Sequence, residues 1–243
     1  MRESAFQVQA SGSIDRVGPD ASYRVEGVES LEPFFMPLIS ADDGWGFVAS
    51  SGVLTAGRRT ADESFFPYRT DDQLLDSSGS SGSRSVFVVL VDGRPPITWT
   101  PFEGVASPGV TRAVDKGVLS DEIVIEERHD DLGLTVQVAW RFSDGVGLVR
   151  STTVRCHGAE DCQVSVDDGV VNVLPPGADA RTQRELSTLL DAYKLTELDP
   201  GSGLVWTRLN AALTDLAEPA ESWRASAIWA AAPVALTVDI RPP

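Results

Sequence analysis

The segment GVLTAGRRTADESFFPYRTDD, Gly52 to Asp72, places two adjacent arginines, two phenylalanines, a proline, a tyrosine and a pair of aspartates just after a strand-like run, WGFVASS. Guanidinium groups fork onto paired oxygens, whether these belong to carboxylates or to sugar hydroxyls. Gly52 and Gly57 allow the backbone to approach another group closely. Phe65, Phe66 and Pro67 supply an apolar anchor. The expectation is a loop that leaves its sheet, anchors through those three residues, and presents Arg58, Arg59, Tyr68 and Asp72 toward a sugar or a neighbouring domain. The competing reading is structural: in an acidic chain, exposed arginines neutralise nearby carboxylates at about 0–1 kcal/mol per pair.

Tryptophans form the second set, because an indole face stacks on the C–H face of a pyranose. Trp45, between Gly44 and Gly46 at a strand start, and Trp99, ahead of Thr100 and Pro101, are expected to be exposed and to join the carbohydrate-binding residues. Trp140 sits within an alternating strand and is expected in the core, as are Trp206 and Trp229. Glycoside cleavage requires two carboxylates, or one carboxylate and a phosphate, across a sugar. The acidic pairs Asp42-Asp43, Asp71-Asp72, Asp130-Asp131 and Asp167-Asp168 read instead as turn caps or as neighbours pointing to opposite faces. No catalytic residue is assigned. A mutarotase would need a histidine acid and a glutamate base flanking a ring oxygen, and His129 and His157 both fall at expected turns.

Cys156 and Cys162 lack companion ligands at zinc spacing, so no metal site is expected. They read as reduced thiols facing each other across a hairpin made of STTVRC and CQVSVDD, turning at HGAED. No phosphate-cradling or dinucleotide glycine pattern occurs, and no cofactor is expected.

The chain has 243 residues, 36 of them acidic and 20 basic, for a formal charge of -16. That charge repels a phosphate backbone and an anionic bilayer, which argues against nucleic acid and membrane as partners. No apolar run approaches the about 20 residues of a membrane helix. The opening MRESAFQVQASGS lacks a basic start followed by an apolar block, so a cytoplasmic location is expected. Hydrophobic residues at 42% can build a sizeable core, and one domain over residues 1–243 is the default.

Positioning of the candidates falls to strands. SAFQVQASGSI, EIVIEERH, LTVQVAWRF and LVRSTTVRC alternate apolar and polar side chains, the pattern of antiparallel strands with one face on a core. The stretches DDLG and SDGVG supply the turns between the last three. GLVWTRLNAAL, SWRASAIWAAA and VALTVDI also read as strands. One amphipathic helix is expected over TQRELSTLLDAYKL, with a Thr182/Glu185 capping box and Leu186, Leu189, Leu190 and Tyr193 on one face. DSSGSSGSR, Asp76 to Arg84, reads as a mobile hairpin loop, and NVLPPGADAR as the join between a strand and the helix.

From Leu31 to Val166 the succession PLISADDGWGFVASSGVLTAGRRTADESFFPYRTDD, a Ser/Gly loop, SVFVVLVDGRPPITWTPF and LGLTVQVAWRFSDGVGLVRSTTVRCHGAEDCQVSV resembles the N-terminal domain of the cellobiose and chitobiose phosphorylase group. Related modules occur in cyclic glucan synthases, all within the glycoside hydrolase family 94-like set. The resemblance implies an all-β, antiparallel β-supersandwich with a galactose mutarotase-like fold, followed in the family by a catalytic (α/α)6 barrel. It also implies a homodimer. The general acid of that family lies on the barrel and has no counterpart here. The loop departs from the family pattern of aromatic-Thr-Trp and Asn-Ser-Arg, reading Leu54-Thr55-Ala56-Gly57-Arg58-Arg59-Thr60. The functional expectation is a non-catalytic, carbohydrate-associated domain of a phosphorylase-like or hydrolase-like protein acting on β-glucosides. The alternatives are a stand-alone carbohydrate-binding or structural module and an aldose mutarotase-like epimerase.

Overall fold

The computed structural model describes residues 10–14, 21–75, 79–91, 93–158, 161–211 and 224–240. The first strands are β1 (Ser11–Ile14), β2 (Ser22–Glu26), β3 (Phe35–Ile39), β4 (Gly44–Ala49) and β5 (Leu54–Arg58), followed by a short helix, α1 (Asp71–Leu75). Next come β6 (Gly82–Val91), β7 (Ile97–Trp99), β8 (Val110–Gly117), β9 (Glu122–His129), β10 (Leu134–Ser143), β11 (Gly147–Cys156) and β12 (Cys162–Val171). Helices α2 (Ala180–Glu185) and α3 (Ser187–Tyr193) precede β13 (Lys194–Asp199), β14 (Leu204–Leu209) and β15 (Ala225–Ile228). The chain is all-β in character, and among the described residues every strand pairing is antiparallel.

Four sheets result: β1-β2-β8-β9-β10-β11, β12-β6-β7, β3-β4-β5 and β13-β14-β15. The meander from β9 to β11 follows directly from sequence alternation. Along β10, Leu134, Val136, Val138 and Trp140 point inward and are fully buried, while Thr135, Gln137 and Ala139 lie between. Gly133 at φ 61 closes the preceding turn, a backbone region that a side chain with a Cβ enters at a cost. One core cluster collects these residues with Leu38, Val48, Leu54, Phe66, Phe87, Val89 and Ile125, so three of the sheets share it. Each such large side chain contributes about 1.5–3 kcal/mol by burial. A second, smaller core of Leu174, Ala178, Leu190 and Leu209 holds the helices against the β13-β14-β15 sheet.

Several expectations are corrected. Cys156 and Cys162 do not end a hairpin, because β11 pairs with β10 whereas β12 pairs with β6 in another sheet. The Ser/Gly stretch is not a loose loop throughout: Ser81 is buried and donates to the Leu54 carbonyl at 3.0 Å, and β6 starts at Gly82. A Cβ on Gly82 would lie 2.9 Å from that of Leu54, so the stretch is glycine-rich at this point for close packing. Residues 76–78 of that stretch and 4–9 of the first alternating run lie outside the described residues.

The amphipathic helix is broken at Leu186, where φ -130 and ψ 31 depart from helical values. Asp179 rather than Thr182 is the N-cap, its carboxylate accepting from the Thr182 backbone N–H at 2.6 Å. Of the expected apolar face only Leu190 is buried, and the helix yields to β13 at Lys194. Val234 to Ile240 form no strand, and Trp206 and Trp229 are exposed rather than core. Trp140, at 2% exposure, is core as expected.

Candidate functional site

The β4–β5 hairpin turns at Gly52, whose φ of 84 suits a residue without a Cβ. Its register sets Trp45 opposite Gly57. A Cβ at Gly57 would meet the Glu63 carbonyl at 2.6 Å, the Ser64 Cα at 2.8 Å and Trp45 Cζ2 at 2.8 Å. Glycine therefore lets the returning chain and the indole close on the strand together. The Trp45 Nε1–H donates to the Thr60 carbonyl at 3.3 Å, and its ring meets Tyr68 edge to face with centroids 5.7 Å apart. Tyr68 is 43% exposed, and its backbone N–H donates to the Gln183 side chain of α2 at 3.0 Å. The anchor lies where the sequence puts it: Phe66 is buried edge-on against Trp140, Phe65 packs on the same core, and the Pro67 carbonyl accepts from Thr55 Oγ1.

Both arginines are engaged by carboxylates. Arg58 donates from Nε and Nη2 to the two oxygens of Asp43 at 3.0 and 2.9 Å, and Arg59 forks onto Glu63. The Arg58 hydrogen bond holds Asp43 below the usual carboxylate range, and Arg59 does the same for Glu63. The rim beside Trp45 is thus charge-balanced in a chain of strongly negative charge. Such a rim offers donors and acceptors to an uncharged polyol without a net field that would draw an anion.

The aromatic surface continues along the sheet. Pairings Ile39 with Trp45 and Pro37 with Phe47 put these side chains on one face, and Phe35 meets Phe47 edge to face at 5.7 Å. Phe35, Ile39 and Phe47 are exposed, so the face is apolar yet accessible. Sequence reading missed Phe35, Phe47, Asp43 and Glu63. The alternation in FMPLI carried the signal for the first of these, since its odd positions share one side.

Trp99 does not belong with Trp45. It is 7% exposed and stacks on Phe87, and its Nε1–H donates to the Glu127 carboxylate at 2.9 Å. The expectation of exposure fails because β7 pairs with β6 and turns the indole inward. Glu127 is itself buried and also accepts from the Phe102 N–H and from Arg112 Nε, both at 2.7 Å. Phe102, at φ 67, is a strained residue held by that contact. Beside this cluster lies a cavity of about 120 Å³ lined by Trp99, Thr100, Ser107, Arg112, Glu127 and His129. Asp72 falls in α1. Among the described residues no group of three or more His, Cys, Asp and Glu is placed to hold a metal ion, and no helix is long and apolar enough to cross a membrane.

In comparisons with known proteins, no family model matches the chain and no curated protein matches it.

Proposed function

We propose that this chain is a carbohydrate-binding β domain whose sugar contacts centre on Trp45 and Tyr68. The observation that carries the reading is the pair itself: two partly accessible aromatic rings, held edge to face by a glycine-permitted packing, beside two arginine–carboxylate pairs. Aromatic faces bind the C–H side of a pyranose, and the paired rim supplies oriented donors and acceptors to its hydroxyls. A neutral glucoside suits this surface better than a sugar phosphate, since each guanidinium already faces a carboxylate.

The finer fold proposed is an antiparallel β-supersandwich of the galactose mutarotase-like type, as in the N-terminal domains of the cellobiose and chitobiose phosphorylase group. On that reading the chain serves a glycoside phosphorylase-like or hydrolase-like protein, with an (α/α)6 barrel and a second copy as its protein partners. A stand-alone binding module is the alternative. A mutarotase-like activity finds less support: Glu127, the buried glutamate nearest a histidine on the same strand, already accepts from three donors and has no free role as a base.

Titration of the purified chain with β-linked gluco-oligosaccharides, followed by tryptophan fluorescence and calorimetry, tests the reading. Trp45→Ala is expected to abolish the response, and Arg58→Ala with Arg59→Ala to weaken it while leaving thermal stability unchanged. Lowered stability with undiminished binding would make the loop scaffolding and sink the proposal. The chain alone is expected to release no glucose 1-phosphate from a disaccharide.

A further inference from the structure

The segment that leaves β7 folds back around a buried carboxylate. Glu127 takes the Trp99 indole N–H on Oε1 at 2.9 Å, and the Phe102 N–H and Arg112 Nε–H on Oε2, both at 2.7 Å. A carboxylate has about four acceptor positions, so Oε1 keeps one. Arg112 also holds the segment: Nη1 donates to the Gly104 carbonyl at 3.0 Å and Nη2 to that of Glu103 at 3.2 Å. Phe102 at φ 67, Gly104 at φ 60 and Gly109 at φ 84 take left-handed backbone, and the Asp130 N–H closes the loop on the Gly109 carbonyl at 2.9 Å. Strain such as that at Phe102 persists where its surroundings over-determine it, and such places cluster at ligand sites. Between this loop and the sheet lies the cavity of about 120 Å³. His129 lines it, with its ring edge to face on Trp99 at 5.6 Å, and the His129 Nδ1 is buried with no hydrogen-bond partner among the described residues.

We infer that this cavity binds a small primary ammonium ion, a ligand distinct from the sugar read at Trp45. The positions left open on its lining are acceptors: Glu127 Oε1, and His129 Nδ1 when the neutral ring carries its proton on Nε2. A primary ammonium carries three donors and no acceptor, which matches them. Charge agrees. Arg112 cancels Glu127 at 2.7 Å, and Glu103, exposed on the same lining, leaves a net negative wall in a chain of charge -16. A small carboxylate or phosphate is repelled there. A polyol of the same size brings an acceptor with every donor and gains nothing from the negative wall. Volume limits the ion: a water's share of the liquid is about 30 Å³, so the cavity holds the equivalent of about four waters and suits about four or five non-hydrogen atoms. Val105 and Val110 give a short alkyl part an apolar wall, and the Ser107 hydroxyl offers a further acceptor to the third N–H.

The test titrates the full chain in phosphate buffer with ethanolammonium and propylammonium chloride by calorimetry, using glycerol and sodium propionate as probes of similar size. Saturable binding of both ammonium ions is expected, with a rise in Tm, and no heat from glycerol or propionate. Binding should persist in high salt, because screening weakens exposed attraction far more than a buried pairing. E103Q, at an exposed position, removes the net charge of the wall, and H129F keeps a ring beside Trp99 while removing the acceptor. Each should lower ammonium affinity about tenfold. Glycerol binding as tightly as the ammonium ions, loss of ammonium binding in high salt, or an affinity unchanged in both variants would overturn the inference.

Discussion

Arg150 of β11 forks onto Asp168 of β12, with Nη1 and Nη2 each donating to one carboxylate oxygen at 2.7 Å. The same guanidinium donates to Ser83 and Ser85 of β6 at 2.8 and 3.0 Å and lies over the Trp140 ring. One side chain thereby joins the six-stranded sheet to the β12-β6-β7 sheet. Burial by itself would raise the Asp168 carboxyl, but Arg150, Ser85 and Thr152 outweigh it and hold the group below the usual carboxylate range. A folded-state pKa depressed in this way adds stability that is complete above the unfolded value and lost as pH falls through the folded one. Arg150→Ala should cost about 1–2 kcal/mol near neutral pH, since it leaves a partly exposed carboxylate without its counter-charge and its paired donors. Urea denaturation of both forms should show the difference shrinking as pH drops from about 5 toward 2. A difference independent of pH would remove Asp168 from the explanation.

Among the described residues Glu127 is the most deeply buried acid, and it accepts from Trp99, Phe102 and Arg112. Glu127→Gln sets an amide N–H against one of those donors and leaves Arg112, 12% exposed, without its counter-charge. The expected loss is about 3 kcal/mol, with sugar binding at Trp45 retained by the folded fraction. Parallel measurement of Tm and glycan titration checks both halves. A stable variant with altered binding would shift the functional centre to the Trp99 cavity.

The strands from β9 to β11 were legible from their alternation, which in β9 and β10 follows from burial of one face on a core. The positions of Phe65 and Phe66 were legible for a related reason: two aromatic rings beside a proline need somewhere apolar to go. What could not be read was pairing between distant strands. CQVSVDD looks like the return strand of a hairpin locally, yet its ten-residue ladder is with β6, some eighty residues earlier in the chain by the Ser85–Asp168 bond. Trp99 was misplaced for the same cause, since the strand beside it decides which way an indole points. At the site, the sequence contains Arg58 and Arg59 but not their partners. Asp43 arrives from the bend just ahead of β4, and its acidic neighbours give no sign of which carboxylate the arginine takes.

The helix cap provides a sharper separation of local pattern from structure. Thr182 and Glu185 have capping-box spacing, but Asp179 performs the capping, which starts α2 earlier and leaves Gln183 free to reach Tyr68. Asp179→Ala should cost about 1 kcal/mol and Asp179→Asn much less, since an amide oxygen also accepts from the Thr182 N–H. Loosening α2 should also weaken glycan binding modestly through Tyr68. Chemical denaturation and fluorescence titration of the two variants check this, and equal losses in both would point to the Asp179 charge rather than its hydrogen bond.

Gly57→Ala tests whether the aromatic site depends on close packing. The added Cβ would meet the Glu63 carbonyl at 2.6 Å, the Ser64 Cα at 2.8 Å and the Trp45 ring at 2.8 Å. Two of those contacts are backbone in a segment whose Phe65 N–H bonds the Ala56 carbonyl at 2.7 Å, so the backbone yields little and the indole must move. Overpacking of this kind costs about 1–3 kcal/mol. The displaced ring should break the edge-to-face contact with Tyr68 and the bond to the Thr60 carbonyl, and so lower sugar affinity by at least about tenfold, the equivalent of about 1.4 kcal/mol. Gly52→Ala provides the comparison, because its φ of 84 makes it a strained substitution away from the indole, with the Ile125 side chain as its nearest neighbour at 3.1 Å. It should lower stability comparably while leaving affinity intact. Equal loss of affinity in both variants would mean that binding follows general stability and that the Trp45–Tyr68 pair is not the sugar platform.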